Sequence, residues 1–168
     1  MNRDEPAIAT LRQLASARRT AALATVAAGR PFVSMVPFAV VPSQSALALL
    51  VSGLAAHTRN LQREPRVCLM LVASEEGAES VHALPRVTIE GLARLLPQDD
   101  PGYADTRAAY LSRFPDADDL TRLGDFRFAR IDPQEARVVG GFGMARTLPG
   151  EIVRDALTTI RGISRSGA

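Results

Sequence analysis

The chain has 168 residues, 46% of them apolar, and a formal charge of only +2, enough material for one ordinary core. So modest a charge presses neither a nucleic-acid nor a membrane-surface role by charge alone. All twenty cations are arginine and none is lysine, so any bound anion must be met by guanidinium, imidazole, hydroxyl or backbone N–H groups.

The first residues, MNRDEPAIATLRQLASARR, carry no apolar secretory core, and no stretch of the chain reaches the roughly 20 apolar residues of a membrane span. The expected location is therefore the cytoplasm. Ile8, Leu11, Leu14 and Ala15 recur at helical spacing behind Pro6 and predict an amphipathic helix over residues 6–18. TAALATVA, PFVSMVPFAV and ALALLV then read as three strands, the first two joined as a hairpin at Gly29-Arg30. SGLAAHTRNL, residues 52–61, reads as a short helix between strands. RVCLMLVA is the next strand, apolar on both faces and hence central. Its Cys68 is the one cysteine, which excludes an internal disulfide or a multi-cysteine metal site and suits a small buried hydrophobe.

After the acidic loop SEEGAESVHALP, RVTIEGLARLL alternates. Val87, Ile89, Gly91, Ala93 and Leu95 take one face; Arg86, Thr88, Glu90 and Arg94 take the other. A helix is expected from Pro101 to Arg113, capped by Asp100, with a short one in DADDLTRL and a strand in DFRFARIDP. Beyond a glycine-rich segment, PGEIVRDALTTIRGI places Ile152, Ala156, Ile160 and Ile163 on one helical face. About six strands with short connections and no βαβ alternation predict a single α+β domain over residues 1–168, an antiparallel sheet closed as a barrel with peripheral helices.

Three stretches could carry chemistry. A helix starting near Ala56 would aim its first N–H groups at an anion, with His57, Thr58 and Arg59 adding a cationic ring, a hydroxyl and a guanidinium, and Ser52 just upstream. The residues alone leave open a plainer reading, an exposed first turn capped by Thr58. GGFG at 140–143 lacks the third glycine of a dinucleotide fingerprint, since Arg146 stands there. It reads either as a flexible loop into the last helix or as a place where Gly141 lets the Phe142 ring lie on a flat cofactor. Arg86 is a third candidate, although on a polar strand face it is commonly just solvated. His82 follows Glu75, Glu76 and Glu79, but that spacing fixes no metal geometry, and no metal site is expected. There is no nucleophile elbow, Walker loop or metalloprotease helix, so no catalytic acid or base can be assigned, and any reaction would fall to a cofactor.

Taken together, AALATVAAGRPFVSMVPFAV, LVSGLAAHTRNLQREPRVCLML, RVTIEGLARLL and ARVVGGFGMARTL resemble, in order and spacing, the FMN-binding split barrels related to pyridoxamine 5'-phosphate oxidase. LAAHTRNL and ARVVGGFGMARTL are similar to the branch that includes haem-utilisation proteins. The resemblance implies a six-stranded split barrel and a homodimer with FMN at the subunit interface. Ser34, Met35, Val36 and Pro37 would then run beside the isoalloxazine and ribityl chain, and His57 would stand where many relatives keep a phosphate-binding lysine. Ala56 takes the place of an arginine, whose contact Arg59 would supply, and Arg86 that of a flavin-contacting glutamine. The oxidase's C-terminal tryptophan and arginine elements have no match. Haem-degrading relatives use a histidine near the C-terminus as the iron ligand, and this chain has none beyond His82. The expectation is an FMN-dependent oxidoreductase acting on a small molecule, with no nucleic-acid or membrane partner. The alternative is a haem-binding or haem-utilisation protein without its own flavin turnover.

Overall fold

The computed structural model describes residues 3–141 and 143–160. Helix α1 (Glu5–Ala17) leads into a tight hairpin, β1 (Thr20–Ala27) and β2 (Arg30–Pro37). Its two-residue turn holds Ala28 at φ 50° and Gly29 at φ 75°, the left-handed pair that matches strand twist. β3 (Ala39–Val41), β4 (Ala46–Ser52), α2 (Ala56–Arg63), β5 (Arg66–Val72) and β6 (Arg86–Leu95) follow. α3 (Tyr103–Arg113), β7 (Phe126–Gly141), β8 (Met144–Pro149) and α4 (Gly150–Thr158) complete the described elements.

All the strands belong to one antiparallel sheet in the order β2-β1-β5-β6-β7-β4-β3, with β8 added on β7. β2 and β3 stand at opposite ends of that order, yet only Phe38 separates them in the chain, and Phe38 is fully buried. The sheet therefore has to curl until its ends meet. β7 is long enough to serve three neighbours: β6 along one side, β4 and then β8 along the other. Leu23, Leu69, Ile89 and Ala136 lie in one lateral row, all fully buried, and α1 and α4 pack on the same core. A second cluster seats Tyr110 of α3 and Phe114 at its C-cap around Phe128, with Tyr103 edge-on to the Phe128 ring at 5.6 Å. Gly91 sits at a bulge, where a Cβ would stand 2.7 Å from Ile131 Cγ2 and 2.9 Å from the Asp132 carbonyl.

The α+β class and the antiparallel sheet are as expected, but the described residues form eight strands, not six. PFVSMVPFAV breaks into two strands because the chain turns the corner of the sheet at Phe38. The glycine-rich segment leads into a further strand rather than straight into the last helix: β7 runs to Gly141 and β8 starts at Met144. Asp100 does not cap α3. Gly102 is the cap residue, and the Asp100 carboxylate instead accepts from the Gly102 N–H (2.8 Å) and from Arg94 (2.6 Å). β5 is central in the sheet, but its outer face is open, with Met70 exposed. Ile163, expected on the last helical face, lies outside the described residues. No described helix is long and apolar enough to cross a membrane.

Candidate functional site

α2 begins without a side-chain cap, because Ala55 and Ala56 offer none. Its place is fixed by the polar residues that the sequence nominates, each acting on a neighbour. Thr58 is buried and donates its hydroxyl to the Ser52 carbonyl at 2.6 Å. Ser52 donates to Asp125 Oδ2 at 2.7 Å and accepts the Leu54 N–H at 3.1 Å, tying the end of β4 to the start of β7. Asn60 reaches inward and donates to Thr25 Oγ1 of β1 at 3.0 Å, both side chains buried. Arg59 folds back on the Leu54 carbonyl at 2.7 Å. His57 turns toward β2, where Ser34 Oγ lies 3.0 Å from its Nδ1. Burial holds the imidazole pKa below its ordinary value and favours the neutral ring.

This arrangement is a poor phosphate cradle. The hydroxyls are occupied, the Asp125 carboxylate stands against Ser52, and the one ring that was to supply a cation is biased toward neutrality. Arg59 has most of its fork in solvent, where a guanidinium holds an anion weakly. Sequence reasoning missed Asp125, Asn60 and Thr25. Only Asn60, inside HTRNL, could have been suspected from its position.

The remaining nominated residues lie elsewhere. On β2, Val36 is buried, Pro37 half-buried, and Met35 68% exposed. Arg86 opens β6 opposite Val139 and donates to the Leu84 carbonyl at 3.1 Å. Gly141 closes β7 with φ 131°, 3.6 Å from the Ala83 carbonyl to the position a Cβ would take. Arg86 and Gly141 thus belong to one end of β7, and Ser52, paired with Phe126, to the other. Phe142 lies outside the described residues.

The outward face of β2, β1, β5 and β6 adds a feature that no motif announced. Strand register puts Met35, Ala22, Met70 and Thr88 in one lateral row and Val33, Ala24, Cys68 and Glu90 in the next. Val33, Met35, Met70, Val26 and Leu92 are all substantially exposed there. A groove of about 380 Å³ runs along this face, lined by Ala24, Val26, Pro31, Cys68 and Leu92, with Arg66, Glu90 and Gln134 at its polar margin. Exposed apolar strips of this kind commonly mark binding surfaces. Burial and the nearby Glu90 carboxylate both push the Cys68 thiol up, so it is not a reactive thiolate. Among the described residues, no group of three or more His, Cys, Asp or Glu could hold a metal ion.

Comparison with known proteins now bears on the chemistry. The family model described as pyridoxamine 5'-phosphate oxidase matches residues 7–140. The chain is 36% identical over 153 residues to the heme oxygenase HutZ of Vibrio cholerae, covering 90% of this chain and 84% of that protein. It is 35% identical over 127 residues to the chloroplastic non-canonical heme oxygenase HOZ of Arabidopsis thaliana, which covers 76% of this chain and 37% of that one. Among solved structures, a heme binding protein from Mycobacterium smegmatis superposes with a TM-score of 0.79 at 31% identity. The match covers 88% of this chain and spans 60% of that one. The expected FMN cofactor and FMN-dependent oxidoreductase activity are corrected by these findings. The relatives are named for heme, and the cluster meant for the flavin phosphate is bonded within itself.

Proposed function

The chain belongs to the pyridoxamine 5'-phosphate oxidase family, and from that premise we propose that it binds haem. The observation that carries the reading is the 36% identity to the heme oxygenase HutZ across 90% of the chain. The outward face of β2, β1, β5 and β6 fits the ring and its two carboxylates. Haem needs apolar cover for a flat macrocycle, cations for two carboxylates and a donor for iron. Val33, Met35, Met70 and Leu92 offer the apolar cover. Arg66 and Arg137 lie at the margins of the same face, whereas His57 bonds Ser34 on the other, core-facing side of β2 and is not aimed at this strip. The macrocycle's iron would supply any redox chemistry, and this chain's residues would hold the propionates, exclude water and fix the ring.

A homodimer is part of the proposal. The Arg86 and Ser52 groups stand at opposite ends of β7 in one chain, and much of the apolar strip on β2, β1, β5 and β6 is exposed. A second copy would bury the remainder and bring a second set of arginines to the site.

The test is titration of the purified full chain with hemin, followed in the Soret region. A saturable change at one hemin per chain is expected, with a dissociation constant in the micromolar range or tighter, a free energy of about 8 kcal/mol or more. Absence of saturation at tens of micromolar hemin would overturn the reading.

A further inference from the structure

We propose that a cleft where β6 ends and β7 begins is a second binding site, built for a small carboxylate carried on a flat apolar body, with Arg127 as the carboxylate's partner. It shares no lining residue with the groove on the outward face of β2, β1, β5 and β6, and the proposal stands apart from the haem reading.

The cleft has a volume of about 520 Å³, in the range of small-molecule sites. It exists because β6 and β7 part company. Their pairing closes with Leu95 opposite Ala129 and with the Leu96 N–H donating to the Phe128 carbonyl at 2.8 Å, whereas β7 already begins at Phe126. On its other side β4 still pairs with that first stretch, Ser52 with Phe126 and Val51 with Arg127. The side that β6 leaves open is walled instead by Leu123 and Gly124, which follow the turn Leu120–Arg122, and by Gln62 near the end of α2. Leu95 packs on the main core and Leu96 belongs to the second cluster, so the cleft lies on the seam between the two.

Arg127 is the residue that lacks a structural reason. Register puts it on the same side of the sheet as the buried Val51, and it continues the alternation of the fully buried Ile131 and Ala129. That pattern calls for an apolar side chain, yet a guanidinium stands there, exposed and with no hydrogen bond or ion pair to another described residue. The charges around it are committed: Arg122 to Asp118 and Asp119, Arg94 to Asp100, and the Asp125 carboxylate to Ser52. No carboxylate lines the cleft among the described residues. The side chains of Gln62, Gln98 and Tyr103 line it as well, and none of the three donates to or accepts from another described residue. One uncommitted guanidinium thus meets two amides and a phenol over an apolar lining of Leu95, Leu96 and Phe126. A guanidinium takes the two oxygens of a carboxylate side by side, and the apolar lining covers the rest of such a ligand.

The experiment titrates the full chain by calorimetry with 2-naphthoate and with 2-naphthamide, its neutral counterpart, and locates each by amide NMR. Naphthoate should bind once per chain with a dissociation constant below about 1 mM and at least about tenfold tighter than the amide, the weight of one charged hydrogen-bonded contact. Its shifts should centre on Leu95–Gln98 and Leu123–Arg127. Arg127→Gln should remove the preference for the acid and leave amide binding in place. Leu123→Asp, a charge on a side chain already 50% exposed, should weaken naphthoate about tenfold by repulsion. Arg59→Gln, a guanidinium outside the cleft, should behave as the parent, and circular dichroism establishes that each variant is folded. Equal affinity for acid and amide, an unchanged preference in folded Arg127→Gln, or an unchanged affinity in Leu123→Asp overturns the proposal. So do shifts confined to the Met35–Met70 face, or no saturable binding of naphthoate at millimolar concentration. None of these outcomes involves hemin, so this proposal and the functional reading stand or fall separately.

Discussion

Ser34 and His57, 23 residues apart in the chain, meet at 3.0 Å through a strand hydroxyl and a helix imidazole. The contact joins β2 to α2. The burial of the imidazole there gives the stability of the fold a pH dependence with a definite sign.

Burial lowers the His57 pKa in the folded chain, so the unfolded chain takes up a proton first as pH falls below about 6.5. Stability is therefore full above that value and is lost progressively as the pH drops through the folded pKa. Thermal melts at pH 7.5 and pH 5 should show a decline that is shallower in His57→Gln. Parallel profiles for the two proteins would show that this ring has no part in the acid sensitivity.

The buried pair Asn60–Thr25 anchors the same helix to β1. Asn60→Ala strands the Thr25 hydroxyl with only a long 3.4 Å contact to the Phe32 carbonyl and should cost roughly 1–3 kcal/mol in urea unfolding. Thr25→Val in the same chain should return part of that loss, since both polar groups are then gone. A loss within about 0.5 kcal/mol for Asn60→Ala, the range of ordinary surface changes, would mean that α2 is held mainly by Thr58 and Leu61.

Much of this fold was legible because its periodicities are clean. Thr20–Ala27 alternates and ends in a glycine turn, and Arg86–Leu95 divides its faces as the observed burial does. The split of PFVSMVPFAV at Phe38 was not legible. A corner between strands that end on opposite edges is set by the closure of the sheet, and an apolar run has no local mark for it. β8 was hidden for a related reason: most of its side chains are exposed, and its pairing comes from the register of β7. In the candidate site, Ser34 and His57 were both nominated, but for a flavin. Their mutual bond depends on tertiary placement, as does the Asp125 carboxylate that makes the cluster unsuitable for a phosphate.

The exposed strip on β2, β1, β5 and β6 predicts the assembly state. Met35→Glu places a charge on the β2 edge of that strip without touching the core, because Met35 is already 68% exposed. The parent should have twice the chain mass by light scattering, and Met35→Glu should be a folded monomer. A parent of single-chain mass would remove the proposed second copy from the site.

The central position of β7 also governs how the chain must be made. Ser52 of β4 has its partner at Phe126, and Arg86 of β6 has its partner at Val139. Until the ribosome has delivered that last quarter of the chain, both strands present open edges to the cell. Such edges recruit other chains, and distant pairings form slowly. A nascent chain of this protein is thus most vulnerable just before β7 emerges. Its yield in the cell should respond more to chaperone supply and translation speed than to the stability of the finished fold.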